Sequence, residues 1–110
     1  MLDEKPPLDI LKLKKSLWDD QNMFIEIAHA MRNDILTRGA RLNQAYRARD
    51  AVITKHEAHA LRGGLVSVTA VMAASLAADL ERMALAAQWD GFDVKLKLFQ
   101  AETQRVDVQL

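Results

Sequence analysis

Apolar residues recur at intervals of three and four along almost the whole chain, the spacing of helices that each bury one stripe. Runs of β-branched residues are short, and no Asn-Gly or Asp-Gly turn separates alternating segments, so strands find little support. The pattern therefore predicts an all-α protein. Pro6 and Pro7 close a charged leader, residues 1–7, expected to be flexible, and Leu8, Ile10, Leu11, Leu13 and Leu17 then mark a short first helix ending near Trp18. Asp19 or Asp20 can cap the second helix. That helix runs from about Asn22 to Arg47, with Phe24, Ile27, Ala28, Met31, Ile35, Leu42 and Ala45 on one stripe.

Asp50 is placed to cap a third helix, from Ala51 to about Val68, whose buried positions are expected to be Ala51, Ala58, Leu61, Leu65 and Val68. A fourth helix, from about Ala70 to Gln88, holds Val71, Met72, Leu76, Leu80, Met83 and Leu85 in an alanine-rich background that favours helix. Asp90-Gly91 turns the chain. A fifth helix starts at about Phe92 and carries Val94, Leu96, Leu98, Phe99 and Val106. Connections this short make consecutive helices antiparallel. The expected architecture is an up-and-down four-helix bundle with a short additional N-terminal helix across one end, forming a single domain over residues 1–110. Trp18, Trp89 and the five methionines are expected to fill the core and the bundle ends.

Composition narrows the function classes. Fifteen basic and fifteen acidic residues cancel, so no overall field draws the protein to nucleic acid or to a membrane surface. No cysteine is present, which removes disulfides, thiol chemistry and cysteine-based metal sites. The amino terminus is acidic and is followed by no apolar run, so neither a signal peptide nor a membrane span is read, and a cytoplasmic location is expected.

The candidate chemistry lies in His59-Ala60-Leu61-Arg62-Gly63-Gly64. Residues two apart on a helix are separated by about 200°, so a core-facing Leu61 turns His59 toward solvent. Lys55, four residues before, and Arg62, three after, place two cations on the same side, where they can neutralise a phosphoryl group. A side chain at position 63 would lean toward the amino terminus and cover the imidazole, and glycine leaves it clear. Two adjacent glycines inside a helix cost about 1 kcal/mol each relative to alanine, so Gly63 and Gly64 imply either a helix end or a demand for close approach by a docking partner. Leu65 and Val68 continue the stripe, which favours a helix that runs through them. Histidine suits phosphate relay because its ordinary pKa of about 6.5 leaves a ring nitrogen lone pair free at neutral pH.

The remaining candidates reduce to simpler readings. His56-Glu57-Ala58-His59 is one residue short of the zinc-protease spacing and no third ligand suggests itself, so no metal site is assigned. His29 is read as a surface or boundary residue of the second helix. Arg38, Arg41, Arg47 and Arg49 gather positive charge toward the end of that helix, either to steer an acidic partner or as a solubilising tip.

A histidine, any residue, leucine, a basic residue and glycine on the third helix of a bundle resembles the signature of the histidine-containing phosphotransfer (HPt) domain, and His59, Leu61, Arg62 and Gly63 match it. Asp50, Ala58, Ala70 and the pair Leu80-Glu81 also fall where that family has them, so the resemblance extends from about Leu8 onward. Lysine is commoner in the family than Arg62, and asparagine and glycine are usual where Ser67 and Thr69 stand. The resemblance implies a two-component phosphorelay carrier without kinase activity of its own. His59 would take phosphate from the aspartate of a response-regulator receiver domain and pass it to another. Lys55, Arg62, Gly63 and Gly64 would contact the phosphoryl group or the partner. Receiver domains and a hybrid sensor kinase are the implied partners, and a monomer is expected. The chain would need no cofactor, the magnesium of such a transfer sitting in the receiver's acidic pocket. Two other readings remain open: a helical docking module that binds through this face without phosphotransfer, and the dimerisation and phosphoacceptor hairpin of a sensor kinase. The second has to accommodate Gly63-Gly64 in place of threonine-proline and the lack of any sequence for an ATP-binding domain.

Overall fold

A computed structural model of the chain describes residues 5–110. Met1 to Glu4, most of the expected leader, lie outside the described residues, while the Lys5 carbonyl accepts a hydrogen bond from Arg105 Nη2 at 2.8 Å. Five helices follow in order: α1 (Ile10–Ser16), α2 (Gln21–Arg47), α3 (Ala51–Ser67), α4 (Val71–Leu85) and α5 (Phe92–Gln109). No strand occurs among the described residues. Helices α2 to α5 form an up-and-down four-helix bundle, and α1 is the additional N-terminal helix. No helix among the described residues is long and apolar enough to cross a membrane.

Local chemistry sets the boundaries. Asp9, Asp20 and Asp50 each occupy an N-cap and accept a hydrogen bond from a backbone N–H three residues on, at Lys12, Met23 and Ile53. Four helix ends close on left-handed residues, Trp18, Arg49, Thr69 and Ala87, none of which is glycine. In each, two backbone bonds tie the turn down: Asp50 N–H donates to the Ala45 carbonyl and Arg49 N–H to that of Tyr46, and the same pattern recurs at Thr69 and Ala87. Only the entry to α5 uses a glycine for this conformation, Gly91 at φ 79°.

The core runs along the bundle axis through Met31 and Leu42 of α2, Ala58, Leu61 and Leu65 of α3, Leu80 of α4, and Phe92, Leu96, Phe99 and Val106 of α5. Burying each of the larger side chains contributes about 1.5–3 kcal/mol. Helix α4 departs from the sequence expectation. Its buried stripe is Ala73, Ala74, Ala77, Leu80 and Ala84, whereas Val71, Met72 and Leu85 face solvent. Small side chains on that face let α3 and α4 approach closely, so the alanines are the packing surface and the larger residues lie outside it.

Trp18, expected to fill the core or a bundle end, is 90% exposed in the α1–α2 turn, where its backbone is left-handed. Met23 and Met72 are also exposed, while Met31 is buried and Met83 half-buried. Trp89 does pack at a bundle end: Tyr46 stacks on Phe92 with ring centroids 4.6 Å apart, and Trp89 meets Phe92 edge-on at 5.5 Å. Arg49 lies over the Tyr46 ring at 4.6 Å.

Ion pairs join the helices across their seams. Arg38 Nη1 of α2 donates to the buried Glu57 Oε1 of α3 at 3.0 Å, two residues before His59. Lys95 Nζ of α5 meets Asp79 Oδ2 of α4 at 3.2 Å. Arg32 Nε of α2 meets Asp107 Oδ1 of α5 at 3.0 Å. Around that last bridge α2 and α5 leave a groove of about 770 Å³, floored by Leu42, Leu61, Leu96 and Phe99.

Candidate functional site

Leu61 and Leu65 are fully buried, and that fixes the rotation of α3 about its axis. The residues two positions away then point outward: the His59 side chain is 60% exposed. Val52 and Val66, seven residues to either side of it, are exposed on the same helix face. His59 thus stands midway along a rigid helix on the outer side of the seam with α4.

The ring is held by its neighbours. Glu81 Oε2 of α4 lies 2.8 Å from His59 Nδ1, and Arg62 Nε donates to Glu81 Oε1 at 3.2 Å. Arg62 Nη2 is also 3.3 Å from Nδ1. A carboxylate only accepts, so the short contact assigns the proton to Nδ1, which donates to Glu81. Nδ1 then has no lone pair for Arg62, whose partner is the other carboxylate oxygen. In the neutral ring Nε2 then keeps its lone pair, and no described residue hydrogen-bonds to that nitrogen. This is the arrangement of a nucleophile: one nitrogen anchored and oriented, the other open.

The structure brings His59, Arg62 and Gly63 together and separates Gly64 from them. A Cβ at Gly63 would meet nothing within 4 Å, so the surface beside the imidazole is open. At Gly64 it would lie 3.3 Å from Met31 Sδ, so this glycine serves the close approach of α3 to α2. Helix α3 runs through both, ending only after Ser67. Lys55 is exposed one turn before His59, with no ion pair to any described residue. His56 and His29 are exposed and carry no hydrogen bond of their own. Among the described residues no three histidine or carboxylate side chains gather as a metal-binding cluster.

Glu81 is a position that sequence reasoning noted as shared with the resembled family, but whose part in the site it missed. It lies far from His59 in sequence, and no local motif pairs them. One signal was present: the two residues are equally distant from Ala70, at the turn of the α3–α4 hairpin, so antiparallel packing sets them opposite each other.

No protein-family model matches the sequence, and no curated protein matches it. Among solved structures, histidine-containing phosphotransfer protein B (HptB) from Pseudomonas aeruginosa PAO1 superimposes with a TM-score of 0.88, over 96% of this chain and 92% of that one, at 23% identity. The fold is that of a histidine-containing phosphotransfer protein. Within this phosphotransfer-protein fold the two departures from the HPt signature have physical accounts. Arg62 reaches Glu81 through Nε while its Nη2 stays beside the ring. Thr69 adopts φ 64°, where glycine is usual, and its hydroxyl accepts from Asp9 N–H at 2.9 Å and donates to the Asp9 carbonyl at 3.2 Å. The side chain that strains this turn also anchors the start of α1.

Proposed function

We propose that this chain is a phosphorelay carrier of a two-component pathway, with His59 as the phosphoacceptor. The observation that carries the reading is an exposed imidazole whose Nδ1 is held by Glu81 at 2.8 Å while Nε2 is open. Nε2 attacks the phosphorus of an aspartyl phosphate on a receiver domain, the N–P bond forms, the P–O bond breaks, and its electron pair leaves with the carboxylate. The reverse reaction loads a second receiver. Lys55 and Arg62 supply positive charge beside the incoming group. Gly63 gives clearance, and the exposed Val52 and Val66 give the partner an apolar rim. Magnesium belongs to the receiver's pocket in this scheme, and the carrier needs no kinase activity of its own. Receiver domains and a hybrid sensor kinase are the proposed partners, met by a monomer in the cytoplasm.

The experiment is phosphotransfer from a phosphorylated receiver domain, followed by an acid-lability assay. The unaltered protein should gain acid-labile, alkali-stable phosphate, His59→Gln should gain none, and His56→Gln should behave as the parent. Labelling that survives His59→Gln would move the site elsewhere. Receiver binding that survives that change, with no phosphohistidine in any form, would favour a docking module instead.

A further inference from the structure

The contacts around Nδ1 bear on what happens after phosphate has arrived. The form of the ring that can attack is the neutral one, with the proton on Nδ1, donated to Glu81, and the lone pair on Nε2. When Nε2 bonds to phosphorus and the donor carboxylate departs, the ring keeps the Nδ1 proton and acquires a positive charge. If that proton stays, onward transfer returns the N–P electron pair to Nε2 and a neutral imidazole leaves. If it is lost, the same step must expel an imidazolate, a far poorer leaving group. The fate of one proton therefore decides whether the phosphohistidine is a ready donor or a stable dead end.

Glu81 Oε2 is 2.8 Å from that nitrogen, and its side chain is only 20% exposed, so its charge is less screened than that of a surface carboxylate. Arg62 Nε on the other oxygen, at 3.2 Å, steadies the carboxylate without competing for Oε2. Building on the reading of His59 as phosphoacceptor, we propose that Glu81 is a positioning residue that keeps the Nδ1 proton on the phosphorylated ring, and so governs release of the phosphoryl group more than its acceptance. An ordinary hydrogen-bonding partner would fix the resting tautomer equally well. A carboxylate also neutralises the charge that appears only when the ring is phosphorylated.

Phosphoramidate tests this because it phosphorylates histidine chemically, with no receiver. In a chain carrying His29→Gln and His56→Gln, only His59 remains to be labelled, and the parent, Glu81→Gln and Glu81→Ala are compared. With Glu81 present, ¹⁵N spectra of the phosphorylated ring should show phosphorus on Nε2 and a proton on Nδ1 at neutral pH. In Glu81→Ala that proton should be lost, and the phosphohistidine should outlive the parent's by about tenfold to a hundredfold, the size of one charge-assisted hydrogen bond. Glu81→Gln, which keeps an acceptor oxygen without the charge, should fall between the two, and it guards against an alanine variant that fails to fold. Equal lifetimes with equal Nδ1 protonation in all three would overturn the assignment of Glu81. If instead the variants differ as expected but no receiver exchanges phosphate with His59, the role of Glu81 stands and the relay reading fails.

Discussion

Two seams meet on α4, and each is bridged by one carboxylate that serves two bases. Toward α5, Asp79 binds Arg82 Nη2 at 2.7 Å and Lys95 Nζ at 3.2 Å. Toward α3, Glu81 binds Arg62 and His59. The two acids are similarly shielded, with side chains 24% and 20% exposed. What differs is the second base. Lysine gives the α5 seam two permanent cations and a purely structural bridge. Histidine gives the α3 seam a base that can stay neutral, carry a proton on one nitrogen and use the other as a nucleophile. Similar geometry yields a clasp in one place and, in the proposed relay, the phosphoacceptor in the other.

The sharpest way to break this comparison is to make the seams alike. His59→Lys places a second permanent cation on Glu81, and phosphate labelling by a phosphorylated receiver should fall to background while stability to urea stays within about 1 kcal/mol of the parent. Labelling that persists in this variant would mean that another group accepts the phosphate. A second change separates access from stability. Gly63→Ala puts its Cβ into open space, so the helix should gain about 0.5–1 kcal/mol. Receiver-to-His59 transfer should nevertheless slow by about tenfold, because the methyl group stands where the partner must come close. Gly64→Ala, crowding Met31, should gain no such stability.

On the α5 seam the expected effects are smaller and confined to folding. Asp79→Asn should lower the unfolding free energy by about 1 kcal/mol and leave the transfer rate alone. The smallest effect concerns acid. The hydrogen bond from Arg82 holds the Asp79 carboxyl below its ordinary value, with Lys95 adding to the shift and burial opposing it. A carboxyl depressed by folding contributes stability that is complete above its unfolded pKa of about 3.9 and is lost as pH falls through the folded value. Urea titrations of the parent and Asp79→Asn should therefore differ at neutral pH and converge in acid. A gap that persists unchanged to the lowest pH would remove Asp79 as its source.

Most of the architecture was readable from the chain because its signals are local. Asp20 and Asp50 cap the helices they were expected to cap, and the leucines of α3 fix its rotation, which is why His59 could be turned outward from spacing alone. The errors lie where packing overrides hydrophobicity. Alanine carries little weight in a periodic pattern, yet it forms the buried face of α4, and Trp18 carries great weight yet stands in solvent. Gly63 and Gly64 look equivalent in sequence, but one serves exposure and the other close helix contact. The role of Glu81 was hidden for a different reason: the partners of this residue come from another helix, and only the hairpin brings them together.

The left-handed helix ends have a practical consequence for anyone wishing to tune this protein. Holding a non-glycine residue in that conformation costs about 1–2 kcal/mol, so Trp18, Arg49, Thr69 and Ala87 mark places where robustness is held in reserve. Ala87 is the simplest to exploit, since only an exposed methyl group would be removed, whereas Thr69 would give up its hold on Asp9. None of the four belongs to the His59 constellation. Hardiness and reactivity are therefore separable in this scaffold, and it can be toughened for engineering from its turns inward.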